Sequence, residues 1–184
     1  MNLKSLWHNT TLYLAAIAFL FLTGCSSTQP QHAPFPQPAL MFHQPDEMLS
    51  PRLKDAKSFA RFVQQIQSEC ASYYSRANPR NPQTVDVVAV IKPGRKNRFW
   101  LAYDPPQRDT SSDKRLLQRL QKISAPPVED GPVSFSMRLL LWGAREPNPM
   151  APRPLLLPTE WHDAIGTNQA VLVPDGIMPK IWPD

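Results

Sequence analysis

The chain has 184 residues, 22 of them proline against 6 glycine, with a formal net charge of +5 at pH 7. That length supports one domain with a real core, and so mild a positive balance does not by itself indicate nucleic acid as a partner.

The N-terminus reads as an export signal. Lys4 stands ahead of the apolar run 11–22 (TLYLAAIAFLFL), which is too short for the ~20 residues of a membrane span. Leu22-Thr23-Gly24-Cys25 closes that run. Small residues at 23 and 24 let a signal peptidase reach the backbone, and the cysteine sulfur is the nucleophile that would receive a diacylglycerol. The motif resembles that of bacterial lipoproteins, in which Leu, a small residue and Gly or Ala precede the Cys. The resemblance implies removal of residues 1–24 and lipidation of Cys25; the alternative is an ordinary secretory signal with a chance cysteine. In lipoproteins of diderm bacteria an Asp after the lipidated Cys usually marks inner-membrane retention, and here Ser26 and Ser27 follow. The expected place is therefore the outer membrane, on its periplasmic face, held through acyl chains that contribute ~0.8 kcal/mol per buried CH₂.

Cleavage before Cys25 leaves 160 residues with 19 Lys and Arg against 15 Asp and Glu, a formal +4, because Lys4 is the one charge removed. Such a balance suits anionic headgroups, lipopolysaccharide or an acidic partner. With Cys25 lipidated, Cys70 has no second cysteine for an intramolecular disulfide, and it falls in a helical pattern as a small buried apolar residue.

Residues 25–51 mix Pro, Gln and Ser with little periodicity and read as a tether. Fully extended as polyproline II it would reach roughly 80 Å. Docking of its apolar cluster Ala39-Leu40-Met41-Phe42 on the domain would shorten that reach.

Regular patterns occupy residues 52–143. Phe59, Phe62, Val63, Ile66, Cys70, Tyr73 and Tyr74 recur at helical spacing, which predicts an amphipathic helix from near Pro51 to before Asn78-Pro79. Residues 85–91 (VDVVAVI) and the alternating stretch 98–103 predict two strands, apolar on both alternations of the first except at Asp86. Turn chemistry at 92–97 makes them a hairpin. A second helix is predicted over 113–123 with Ser111 or Ser112 as N-cap, ended by Pro126-Pro127. Residues 133–142 (VSFSMRLLLW) alternate most cleanly and predict a half-buried strand. The expected class is α+β: a small antiparallel three-stranded sheet with two helices on one face, in the order α-β-β-α-β. The last zone, 144–184, carries eight prolines and forms a Pro-rich C-terminal extension.

The segment 59–142 resembles the C-terminal domain shared by TonB and TolA envelope proteins. Its leading helix (FARFVQQIQSEC), strand and Pro-Gly turn (VDVVAVIKPG), second strand (RFWLAY) and the run LLQRLQKISAPPVEDGPVSFSMRLLL carry the likeness. TonB and TolA keep an uncleaved inner-membrane helix coupled to a proton-driven motor, so energy transduction is not implied here. What the resemblance implies is a periplasmic protein-binding domain that engages partners by sheet-edge pairing and surface contacts.

In the extension, the short apolar runs 155–157 and 171–173 could add edge strands, and Pro174-Asp175-Gly176 is a turn signal. The extension either packs on the domain or forms a partner-binding arm carrying Trp161 and Trp182. The hairpin cations Lys92, Arg95, Lys96 and Arg98 form the densest positive patch, either a solvated turn or a contact for an anionic partner. No GxSxG, Walker or dinucleotide motif is present, and Glu160, His162 and Asp163 lack a second His or Cys at ligand spacing. No enzyme, cofactor, metal or small-molecule substrate is expected. Two classes of function fit: an adaptor binding a periplasmic or outer-membrane protein in a secretion, conjugation or transport assembly, or an immunity lipoprotein that blocks a toxin.

Overall fold

The computed structural model describes residues 39–77, 81–106, 111–145, 155–165 and 175–183. Contacts divide the chain into Met1–Pro30 and Gln31–Asp184, and every described residue belongs to the second unit. Cys25 and the signal motif lie outside the described residues, and no described helix is long and apolar enough to cross a membrane.

The elements, in chain order, are β1 (Ala39–Phe42), α1 (Asp46–Arg52), α2 (Ala56–Tyr74), β2 (Gln83–Lys92), β3 (Lys96–Asp104), α3 (Ser111–Leu120), β4 (Val133–Leu141), α4 (Thr159–Ile165), a 3₁₀ turn (Asp175–Ile177) and α5 (Met178–Ile181). The fold is mixed, with one antiparallel sheet in the order β1-β4-β2-β3. Four strands stand where three were expected. The extra one is β1, in which the apolar cluster pairs with β4 from Ala39↔Arg138 to Phe42↔Phe135. The four residues have an apolar partner strand to join, so pairing their backbone outweighs remaining solvated.

Near the predicted start of the long helix the chain makes two helices. α1 runs through Pro51 one residue before its end, so the N–H that would close on the Glu47 carbonyl is missing there, and it has Asp46 and Glu47 in its first turn. α2 starts anew from Asp55, whose carboxylate accepts from the Ser58 N–H at 2.9 Å. Phe59, Phe62, Ile66, Cys70 and Tyr74 form its buried face. In the β2–β3 hairpin Lys92 pairs with Lys96, and Gly94 and Arg95 turn the chain with φ of 83° and 58°.

One sheet face carries Val85, Val87, Ala89 and Ile91 of β2 with Val133, Phe135, Met137, Leu139 and Leu141 of β4, and packs with α2 and α3 in a single core. Phe135 meets Phe59 and Phe62 edge-on at ring distances of 5.2 and 6.4 Å. The other face carries Val88, Val90 and Trp100, and it too is covered: Trp161, Ile177 and Met178 from the C-terminal extension form a second core on it. β4 is consequently not half-buried, since Ser134 and Ser136 on its second face are as buried as the apolar set opposite. Leu157 packs on this second core from non-strand backbone, so 155–157 is not an edge strand. Residues 171–173 lie outside the described residues.

Two polar ties fasten the second face. Asp86, the polar exception in β2, sits directly across from Arg138 and accepts from its Nε and Nη2 at 2.8 and 2.7 Å. Leu156 N–H donates to the same carboxylate at 3.2 Å, which ties the extension to the sheet. A second tie joins α1 to the 3₁₀ turn. Arg52 donates to both Asp175 oxygens, at 2.9 and 2.5 Å, and to the Pro132 carbonyl at 2.8 Å. Its guanidinium lies against Gly131, where a Cβ would come within 2.9 Å, so only glycine fits there.

Candidate functional site

β2 is paired on both sides, which leaves β3 as one edge of the sheet among the described residues. The first strand of the hairpin is thus an inner strand, and its second strand is the one of the pair that lies at an edge. Along the C-terminal half of β3 runs a cavity of about 360 Å³. Its floor is the strand itself, Leu101 to Asp104. Leu155, Leu156 and Leu157 wall it on the side of the extension, with Thr159 and His162 at the rim, and Asp113 of α3 approaches from the helical side.

The local sequence explains this arrangement. Alternation places Leu101 and Tyr103 toward the helices and Ala102 toward the extension. Tyr103 donates its hydroxyl proton to Asp113 Oδ1 at 2.5 Å, which fixes the start of α3 against the strand. Burial pushes the Tyr103 hydroxyl pKa strongly upward, so it stays protonated as a donor. Thr159 and Glu160 open α4, and Trp161 pins that helix to the sheet by meeting Trp100 edge-on at 5.2 Å and His43 at 6.2 Å. His162, one residue on, is exposed as a result.

The residues singled out from the sequence separate. Trp161 is fully buried, so it anchors the extension and does not project as an aromatic contact. Trp182 is half-buried beneath Lys92, whose ammonium lies 4.8 Å from the ring centre and donates to the Trp182 carbonyl at 2.7 Å. Lys92 therefore fastens the C-terminus to the hairpin. Arg98 lies 5.0 Å over the Trp100 ring while remaining exposed. Arg95 and Lys96 are exposed at the turn. Sequence reasoning missed the β3-edge cavity because Leu155–Leu157 read as a strand of its own; the signal for it was three leucines bracketed by prolines, which an added ladder disfavours.

His43 and Cys70 are deeply buried. Nδ1 of His43 and the Ser134 hydroxyl share a hydrogen bond of 2.8 Å, and burial lowers the His43 pKa to about 4. Burial raises the Cys70 thiol to about 12, which leaves it an inert core group. Among the described residues no three His, Cys, Asp or Glu side chains gather as a metal-binding group. No protein-family model matches the chain, and neither curated proteins nor solved structures give a match.

Proposed function

We propose that this protein is a lipid-anchored envelope adaptor that binds an extended segment of a periplasmic or outer-membrane protein along β3, as an accessory of a secretion, conjugation or transport assembly. The observation that carries the binding mode is a sheet edge, unpaired among the described residues, running beside a leucine-walled cavity. Main-chain hydrogen bonds to β3 would supply affinity, and alternate side chains of the added strand would enter the space beside Leu155–Leu157 to supply selectivity. Support for the anchor comes from the sequence motif at Leu22-Thr23-Gly24-Cys25, and the likeness of residues 59–142 to TonB and TolA domains favours a protein partner.

Photocrosslinking in isolated membranes tests this reading. Crosslinkers at Thr159 and at His162, both exposed at the rim, are expected to give the same discrete protein adduct. One at Ser50, exposed on α1, is expected to give none. Adducts to lipid alone, or equal capture from all three positions, would remove the adaptor reading.

A further inference from the structure

The helical layer carries a second groove, distinct from the β3 edge. Two adjoining cavities of about 520 and 170 Å³ share Gln65 and Ser124, so together they form one channel between α2 and the chain that follows α3. Its four cations come from three segments of the sequence. Arg61 lines one end with Arg95 from the hairpin turn, and Arg119 and Lys122 line the other. One carboxylate, Glu69, faces them, and it accepts from Arg119 Nε at 2.7 Å. The groove therefore carries an excess of positive charge.

Its length and chemistry indicate what fits. Arg61, Gln65 and Glu69 follow at four-residue steps along one face of α2, which spans about 12 Å at 1.5 Å per residue. An extended peptide of about four residues covers that distance at ~3.3 Å per residue. Gln65, Ser68 and Ser124 offer the amide and hydroxyl groups that pair with a peptide backbone. Phe62 lies beneath the smaller cavity with only 1% of its surface exposed, and Pro126-Pro127 form a rigid wall. Four cations against one carboxylate along the groove suit a carboxylate-bearing peptide better than acyl chains.

We infer that this groove is a docking channel for a short, extended acidic segment of a protein partner, gripped by Arg61, Arg95, Arg119 and Lys122. The inference rests on the adaptor reading for the occupant being protein, and adds a second contact with a defined charge. Arg119 is held ready by Glu69 and by the Ser72 hydroxyl at 3.3 Å, while Arg61 donates to the Ser58 hydroxyl at 3.0 Å. Both guanidinium groups are thus oriented before a ligand arrives, which lowers the ordering cost of binding.

The full chain in detergent, titrated with a fluorescent peptide of alternating Asp and Ser, provides the test. Binding is expected to weaken as salt rises, and the double variant Arg61→Glu/Lys122→Glu is expected to lower affinity at least about tenfold while flattening that salt dependence. Lys114→Glu/Arg115→Glu, two exposed cations of α3 outside the groove, changes the net charge equally and is expected to leave affinity within about twofold. Circular dichroism of each variant confirms that the fold is kept. The inference is overturned if the wild-type chain does not bind the peptide, if the control pair weakens binding as much, or if vesicles rich in phosphatidylglycerol bind through Arg61 and Lys122 while the peptide does not. Each of these outcomes leaves the adduct at Thr159 and His162 to judge the adaptor reading separately.

Discussion

At the residue scale, His43 and Asp86 show polar groups whose meaning depends on what covers them. His43 is 1% exposed and neutral beneath Trp161, with its pKa lowered to about 4 by burial, whereas in the unfolded chain it titrates near 6.5. Between those values the unfolded state binds more protons. The stability that His43 contributes is therefore full above pH 6.5 and is lost as the pH falls toward 4. Linkage places the loss between pH 7 and pH 5 at about 2 kcal/mol. Chemical denaturation at the two pH values is expected to show it, and the His43→Gln variant is expected to lose most of the difference. Asp175, held below the usual carboxylate range by its hydrogen bond from Arg52, acts in a lower window: its contribution disappears as the pH falls below the ordinary Asp value. Asp86 and Arg138 form a bidentate pair with side chains only 1% and 10% exposed, where removal of either partner would strand a buried charge.

At the scale of elements, the helical spacing in α2 and the alternation in β4 meet in one core. Leu120 at the end of α3 and Phe135 in β4 are both fully buried in that core. Truncating either to Ala is expected to cost roughly 2 to 5 kcal/mol. Gln118→Ala, on the exposed face of α3, is expected to stay within about 0.5 kcal/mol. Thermal or denaturant melting of the three variants decides whether these residues bear on the same packing. The long helix, the hairpin and β4 were all legible because each has a period its own residues enforce. The element boundaries that differed did so for local reasons. α1 was concealed by the prolines around it, although Asp46 and Glu47 in its first turn are the acidic start signal of a helix.

At the scale of the whole molecule, the described unit is three layers deep: helices α2 and α3, the sheet, and the C-terminal extension. The extension is fastened at Asp86 and Lys92 of β2 and at Arg52 of α1. No described helix is long and apolar enough to cross a membrane, and the anchored reading rests on the sequence motif that ends at Cys25. Cys25→Ala is then expected to abolish incorporation of labelled palmitate and to leave an uncleaved precursor or a soluble form. Membrane fractionation with immunoblotting reads the outcome, and unchanged outer-membrane recovery of that variant would defeat the anchored reading.

What the sequence determined by itself is whatever depends on neighbours within a turn or a strand: α2, the β2–β3 hairpin, β4, the antiparallel pairing of a hairpin, and the burial of Cys70. Tertiary structure alone decided which surfaces remain open. Ala39–Phe42 has the same apolar residues whether it is tether or strand, and only the presence of an unpaired β4 edge makes pairing the lower state. Trp161 could equally project or bury, and it buries because β2 and β3 offer Val88, Val90 and Trp100 on a face that would otherwise meet water. The β3 edge and the cationic groove assemble from segments dozens of residues apart, so no local pattern could reveal them; long-range packing brings Leu155–Leu157 beside Leu101 and Arg119 beside Glu69.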